Sequence, residues 1–237
     1  MFEIRIKLTT VSCCLIGNQT ESFSIGGVDQ STTVDENGKP MIHGSAFKGA
    51  FRNIVREQDK REGELAQIKN YVKYLIEETL EKYNSEDITG TEKIRKMLSN
   101  LKEKAKNPKA EYIFGIEGVN GMPRLFCSDF RVLESKDKQK DDYFLIDTKN
   151  NLEENENEVQ ILSNPRTYRV IKPGIEFEGI IRFYNPLEES KEIETKIKEE
   201  LEEVLKEFNN GLYGIGNSKS RGYGQIKVEI LEWGEKK

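Results

Sequence analysis

The sequence has few residues of the kinds that form disulfides or zinc sites. Its 237 residues include three cysteines, Cys13, Cys14 and Cys127, and a single histidine, His43. Because the cysteines are odd in number and show no Cys-x-x-Cys spacing, the sequence supports neither a disulfide framework nor a zinc site. Buried thiols in a reducing compartment account better for these cysteines.

Long apolar runs are also missing. No segment approaches the roughly 20 apolar residues that a transmembrane helix needs. The first six residues, MFEIRI, alternate like a strand and lack the basic and then apolar order of a signal peptide. We therefore expect a cytoplasmic protein with no membrane partner.

Positive charge is in deficit, since the net charge is −5. Residues 186–208 contain nine glutamates and four lysines, so this stretch carries a deficit as large as that of the whole chain. Residues 164–172 and 211–228, by contrast, each contain three cations and no acid. We interpret these two segments as basic loops that can bind phosphates although the chain as a whole is acidic.

The most informative segment is the glycine-rich loop, residues 211–224, with five glycines, two cations and no acid. Glycines let backbone N–H groups approach an anion closely, and Lys219 and Arg221 supply positive charge. The loop therefore predicts a phosphate-binding site. A glycine-rich turn that only joins a helix to a strand is the alternative, although ordinary connections are shorter.

Two known motifs do not account for this loop. A P-loop requires Gly-Lys-Ser/Thr between a strand and a helix, whereas Asn217 follows Gly216 here and the loop precedes a strand. Residues 221–228 partly match the RNA-recognition signature, but Gln225 stands where that signature requires a stacking aromatic residue. The P-loop interpretation therefore fails, and the partial match to the RNA-recognition signature is weak evidence for base stacking.

Hydrophobic periodicity predicts a single α+β domain. Its expected elements are a strand at 2–8, a helix from an N-cap at Ser45 to Arg56, strands at 124–132 and 175–184, a helix at 193–208 and a strand at 223–231. This βαββαβ order is that of a ferredoxin-like or RRM-like core. Residues 57–110 are predicted to form a charged helical insertion, and residues 134–160 a hairpin-like projection.

Four segments follow one another with the order and spacing of one family: residues 25–30, 37–52, 164–174 and 211–224. Together they resemble the RAMP superfamily of CRISPR-associated proteins, and above all the repeated backbone subunit of type III effector complexes of the Csm type. The resemblance implies that the insertion is a lid and that the projection is a thumb. It also implies four partners: guide RNA, target single-stranded RNA, further copies of this chain and other CRISPR effector subunits.

The resemblance further implies contacts between the protein and the RNA backbone. They would come from the start of the first helix, from the second basic segment and from the glycine-rich loop. The implied residues are Ser45, Lys48, Arg52, Asn164, Arg166, Arg169, Gly216, Asn217, Ser218, Lys219, Ser220 and Arg221.

In this family an aspartate after the first strand cuts target RNA with the help of a divalent cation, and the resemblance places it at Asp29. We expect the cation to be Mg2+, bound by the same residue. A carboxylate can hold a hydrated metal ion or orient the ribose 2′-hydroxyl for in-line attack on the adjacent phosphate. From the residues alone, an aspartate that caps a turn is the alternative.

Other readings of the function stay open. The chain could be a non-catalytic RAMP subunit that organises guide RNA, or a RAMP endoribonuclease that matures the guide precursor. His43 stands where the family more often has proline, and we interpret it as structural or as a guide contact. Tyr168 and Tyr223 could stack on a base or pack inside the protein.

Overall fold

The computed structural model describes residues 2–17, 28–61, 63–85, 92–117, 119, 125–133, 140–154, 161–183 and 191–235. The helices and strands in these ranges are β1 Phe2–Thr10, β2 Gln30–Ser31, β3 Met41–Ile42, α1 Gly44–Gln58, α2 Ala66–Ser85, α3 Glu92–Lys106, β4 Leu125–Cys127, β5 Phe130–Val132, β6 Phe144–Glu154, β7 Ile161–Ile171, β8 Glu176–Phe183, α4 Lys191–Lys206 and β9 Ile226–Glu235. None of the four described helices combines the length and the apolar character needed to cross a bilayer.

The larger sheet has the strand order β3-β5-β8-β1-β9, with β4 also paired to β8. Its pairings are antiparallel. β1 is central because its apolar residues alternate with charged ones and face the core. Its fully buried residues are Phe2, Ile4, Ile6 and Leu8. β4 and β5 together correspond to the second strand of the predicted βαββαβ order, and β1, β8 and β9 correspond to the first, third and fourth. The observed order β5-β8-β1-β9 confirms the predicted α+β fold with a ferredoxin-like core.

The helices pack against this sheet through aromatic side chains. In α1, the Phe47 ring centroid lies 4.7 Å from that of Phe130 in β5 and 5.4 Å from that of Phe208, just after α4. In α2, the Tyr71 ring lies 5.2 Å from that of Phe183 in β8. The first helix of the predicted insertion is therefore part of the packed core, and the interpretation of residues 57–110 as a lid stays a prediction.

A second sheet has the order β2-β7-β6, and β6 and β7 pair along their lengths as an antiparallel hairpin. Residues 164–172 were expected to form a basic loop. Residues 164–171 instead belong to β7, which ends at Ile171, so that expectation is wrong. Tyr168 and Val170 keep it extended because they are buried in a small apolar cluster with Leu15 and Tyr223. Packing therefore accounts for both tyrosines.

The predicted projection, residues 134–160, is described in part. It contains a short 3-10 turn, Lys140–Tyr143, followed by β6. Residues 134–139 and 155–160 lie outside the described ranges. The interpretation of this hairpin as a thumb stays a prediction.

The start of α1 differs from the expected one. The helix begins at Gly44 with His43 at the N-cap position, so the prediction of Ser45 as the cap is wrong. A distant carboxylate serves instead, because the Gly44 N–H donates to Asp129 Oδ1 over 2.8 Å. Asp129 reaches this position because the predicted strand at 124–132 is interrupted there and forms β4 and β5.

A carboxylate from α4 caps α2 in a similar way. Glu200 accepts hydrogen bonds from the Gln67 N–H at 2.9 Å and from the Ile68 N–H at 2.8 Å, one at each oxygen. We expect Glu200→Ala to lower the free energy of unfolding by about 1–2 kcal/mol, since it leaves both donors without an acceptor. Urea denaturation measures this, with Glu199→Ala as the control, because Glu199 is an exposed glutamate on the same helix. Equal losses in the two variants would contradict the capping role.

Candidate RNA interface

The glycines of the glycine-rich loop serve its own packing. Gly216 has a φ of 76°, and a Cβ there would lie 2.3 Å from the Leu15 carbonyl oxygen. Gly224 has a φ of 83°, and a Cβ there would lie 2.0 Å from the Ile215 carbonyl oxygen. A larger residue at Gly216 would therefore force the loop away from the segment that follows β1, and one at Gly224 would clash with the loop's own backbone.

Many backbone N–H groups of this loop already have acceptors. The donors, each bonded to a backbone carbonyl, are Ile215, Asn217, Arg221, Gly222, Tyr223 and Gly224. The Asn217 side chain also donates to the Gly17 carbonyl over 2.6 Å. Phosphate binding by a cradle of backbone amides, as expected from the glycines, is thus not what this geometry favours. The exposed side chains of Lys219 and Arg221 are better candidates for binding an anion.

Those cations lie on a short 3-10 turn, Lys219–Arg221. The turn is flanked by left-handed residues, Ser218 with a φ of 58° and Gly222 with a φ of 84°. Lys219, Ser220 and Arg221 are all exposed. Within the described part of the chain, neither cation forms an ion pair with a carboxylate. Both positive charges are therefore available to bind a phosphate.

Lys149 of β6 links the hairpin to this turn, and the sequence did not identify it. Its Nζ donates to the Arg221 carbonyl oxygen over 3.3 Å. Its neighbour across the hairpin is Arg166 of β7. Lys149 lies in a segment dominated by acids and amides, so only the strand register, which the sequence does not give, could have pointed to it.

Asp29 is attached to β7 by three hydrogen bonds. Its N–H donates to the Thr167 carbonyl over 2.9 Å. Its Oδ2 accepts from the Thr167 N–H at 2.6 Å and from the Thr167 hydroxyl at 3.1 Å. These two hydrogen bonds, with a further contribution from Arg166, hold the pKa of the Asp29 carboxyl below its usual value. The side chain is exposed and stays ionised at neutral pH.

A groove of about 430 Å³ lies between α1 and the glycine-rich loop. On the α1 side it is lined by Ala50, Asn53 and Glu57, and on the loop side chiefly by Leu212, Tyr213 and Lys219. Leu212 is 81% exposed. α1 and the glycine-rich loop therefore face each other across one groove, and Lys219 is the predicted RNA contact among its described lining residues.

A model of the RAMP superfamily matches residues 7–227, which is most of the chain. The chain belongs to the RAMP superfamily. A search of curated proteins found no match to this RAMP sequence. Among solved structures, a chain from the type III-B Cmr-beta complex bound to cognate target RNA, determined by cryo-electron microscopy, matches 98% of it with a TM-score of 0.56 and 19% identity. The RAMP chain spans 60% of the length of that chain, and the similarity shows a shared fold.

Among the described lining residues of the groove, Lys219 is the one predicted contact residue of the RAMP chain. Arg52 is paired with Glu111, its Nε lying 3.3 Å from Oε2, and Arg56 shares the same oxygen at 2.8 Å. In β7, the Arg169 guanidinium stacks 4.1 Å from the centre of the Phe144 ring. Both predicted cations thus have partners inside the protein.

The remaining predicted contacts lie at the start of α1 and in β7. Ser45 is exposed in the first helical turn and Lys48 is half-buried one turn on. The N–H of Gly44 is already bonded to Asp129, so not every amide at this helix start is free for a phosphate. Asn164 pairs with Asn151 through the hairpin register, and its side chain lies outside what the structure describes.

His43, the single histidine, belongs to this helix cap. Its Nδ1 lies 3.7 Å from Asp129 Oδ1, the oxygen that also accepts from the Gly44 N–H. The contact fits the structural role expected for His43. The imidazole therefore lies beside a helix terminus. Its described contact is to a carboxylate and not to a nucleophile that it could activate as a general base.

The divalent cation expected at Asp29 does not fit the described residues of this RAMP chain by themselves. Within the described ranges, no group of three or more His, Cys, Asp or Glu side chains is arranged to hold a metal ion. Asp29 supplies one carboxylate, and its Oδ2 already accepts two hydrogen bonds. Residues 25–27, which belong to the same motif, lie outside the described ranges.

The open face of the larger sheet is unlike that of an RNA-recognition motif. Ion pairs cross it from strand to strand, for example Lys7 with Glu229 at 2.8 Å and Arg182 with Glu3 at 2.8 Å. An RNA-recognition sheet instead offers aromatic rings on which bases stack. Among the described residues, Phe126 is the one strongly exposed aromatic side chain on this sheet. The described part of this face therefore lacks the stacking surface of an RNA-recognition motif.

Proposed function

We propose that this RAMP chain is an RNA-binding backbone subunit of a type III CRISPR effector complex, of the Csm type. Guide RNA occupies the groove between α1 and the glycine-rich loop, and target single-stranded RNA pairs with it. The observation that carries the proposal is that α1 and Lys219 of the exposed turn line one groove, with Arg166 on the adjoining hairpin and Asp29 hydrogen-bonded to that hairpin. The Cmr-beta complex with a similar chain, which was solved with cognate target RNA, supports it.

We further propose that Asp29 takes part in cleavage of the target RNA. Its ionised carboxylate accepts a hydrogen bond from a ribose 2′-hydroxyl and orients that oxygen for in-line attack on the adjacent phosphorus. The new bond closes a 2′,3′-cyclic phosphate as the bond from phosphorus to the 5′-oxygen breaks, and water takes the 2′ proton and protonates the leaving 5′-oxygen. Because its pKa is lowered, Asp29 is a weak base, and its contribution is orientation and charge rather than full proton removal. The family implies a Mg2+ ion as cofactor, which would need ligands beyond Asp29, from RNA, another subunit or residues outside the described ranges.

A non-catalytic RAMP subunit that organises guide RNA is the second candidate. It is favoured by one observation, that Thr167 already gives Asp29 a structural partner in the fold. Maturation of the guide precursor has no such support, because His43 is engaged at the cap of α1.

Assembly on RNA tests the proposal. The purified chain should bind guide RNA and form arrays in which the number of copies rises in proportion to RNA length. Mass photometry on a series of RNA lengths measures this ratio. A single copy bound whatever the length of the RNA would contradict the role of a backbone subunit.

Thr167→Val tests the position of the Asp29 carboxylate. The substitution removes the hydroxyl that donates to Oδ2 but keeps the backbone donor and the side-chain shape. We expect target cleavage by the assembled complex to slow by about tenfold, as for the loss of one hydrogen bond to a charged group, with RNA affinity unchanged. Since the Asp29 pKa rises towards its usual value, the acid limb of the pH–rate profile should move to higher pH. Thr167→Ser keeps the hydroxyl and is the control; equal rates and profiles for the two variants would refute this role.

A further inference from the structure

The hairpin and the glycine-rich loop meet at three side chains, which we call the hairpin–loop junction: Asp147, Lys149 and Tyr223. The Tyr223 hydroxyl donates a hydrogen bond to Asp147 Oδ2. The Lys149 ammonium lies 3.8 Å from the centre of the Tyr223 ring. Asp147 and Tyr223, 76 positions apart in the sequence, are thus joined by a hydrogen bond, and Lys149 adds a cation–π contact to the same ring.

Tyr223 is a fixed platform for this contact. It is buried in the small apolar cluster with Leu15, Tyr168 and Val170. Burial, followed by the hydrogen bond to Asp147, raises its pKa, so the hydroxyl remains a donor at neutral pH. The buried ring therefore has a fixed orientation, and its hydroxyl donates in a fixed direction. Both limit the positions that the Lys149 side chain can take.

Lys149 reaches from this platform to the backbone of the cationic turn. Its side chain is 25% exposed, and its Nζ is 3.9 Å from Asp147 Oδ2. The same Nζ donates to the Arg221 carbonyl oxygen. A partly buried ammonium with an aromatic face, a carboxylate and a carbonyl around it is restricted far more than an exposed lysine.

The turn needs this support. Lys219, Ser220 and Arg221 are exposed, and their described backbone N–H bonds stay inside the loop. Of the described hydrogen bonds, the one from Lys149 reaches the backbone of this turn from outside the loop. A flexible turn would lose conformational entropy on every phosphate contact, whereas a fixed one does not.

We propose that Lys149, oriented by Asp147 and Tyr223, is a positioning residue for RNA binding by the turn Lys219–Arg221. The inference rests on the proposed function. Lys149 holds the Arg221 carbonyl, and so fixes the direction in which the two cationic side chains leave the turn. RNA affinity depends on Lys149 although its own ammonium is directed at protein groups.

A double-mutant cycle on the purified full chain tests this. The binding of a labelled single-stranded RNA is measured for the wild type, for Lys149→Met, for the double variant Lys219→Ala/Arg221→Ala, and for all three changes together. We expect Lys149→Met alone to weaken binding by about tenfold, and to add little once the turn has lost its cations. Lys73→Met, a loss of the same charge on the exposed face of α2, should leave affinity unchanged.

Three results would overturn the proposal. In the first, Lys149→Met binds RNA with the affinity of the wild type and of the Lys73→Met control. Its effect could also add fully to that of the turn variant, which would make Lys149 a direct phosphate contact. Tyr223→Phe keeps the ring but removes the hydroxyl, and it should weaken binding in the same direction; wild-type affinity there would refute the orienting role of Asp147. If instead the turn variant itself binds like the wild type, the proposed site for RNA fails, which is a separate outcome.

Discussion

Asp29→Asn should slow target-RNA cleavage by the assembled complex by about 10²- to 10³-fold, the range observed when one preorganised charged or polar contact to a reacting group is removed. Asparagine has the shape of aspartate, and its carbonyl oxygen can still accept from the Thr167 N–H and hydroxyl. The negative charge beside the ribose 2′-hydroxyl is lost. RNA affinity should stay the same, because Asp29 provides no positive charge for a phosphate.

Single-turnover cleavage of a labelled complementary RNA measures this effect. Glu36→Gln is the matched control. Glu36 is an exposed acid between β2 and β3, and its carboxylate pairs with Arg131 at 2.9 Å. We expect the control to cleave at the wild-type rate. Wild-type cleavage by Asp29→Asn, with RNA binding intact, would contradict the catalytic assignment and leave the non-catalytic subunit as the function.

Lys219→Ala combined with Arg221→Ala should weaken RNA binding on the order of 100-fold, since hydrogen bonds to charged groups contribute about 1.5–3 kcal/mol each. Both cations are exposed and, within the described ranges, unpaired, so little of the loss should come from folding. The slope of log affinity against log salt should become shallower by about 1.4, because each phosphate contact to a single strand contributes about 0.7.

A salt titration of RNA binding gives both quantities at once. Lys73→Ala combined with Lys102→Ala removes the same charge from the exposed surfaces of α2 and α3. This control should keep the wild-type slope and change affinity little. If the turn variant and the control had the same slope, the glycine-rich loop would not be part of the RNA interface.

The core of the fold could be predicted from periodicity, since β1, α1, α4 and β9 each bury one regular stripe of apolar residues. β7 could not, because its extended form depends on Tyr168 packing against Tyr223, which is distant in sequence. The start of α1 was misplaced for a similar reason. Its capping carboxylate, Asp129, comes from another part of the chain, and Ser45 offered a plausible local substitute.

The sequence identified the chemistry of the candidate site better than its contacts. Lys219 and Arg221 were recognisable because no acid lies near them in the sequence. Arg52 also has no acid near it in the sequence. In the structure, however, it pairs with Glu111, which lies in a 3-10 turn after α3. Lys149 gave no signal at all. Pairings across long stretches of chain decide which cations remain available, and residue types do not reveal them.

Ultraviolet cross-linking of the bound RNA, followed by mass spectrometry of the cross-linked peptides, tests most directly where RNA lies on this chain. The account predicts cross-links in the glycine-rich loop, residues 211–224, at the start of α1 and around Arg166. The ion-paired open face of β1, β8 and β9 should give none. Cross-links concentrated on that sheet face, with none in the loop, would contradict the groove as the RNA site.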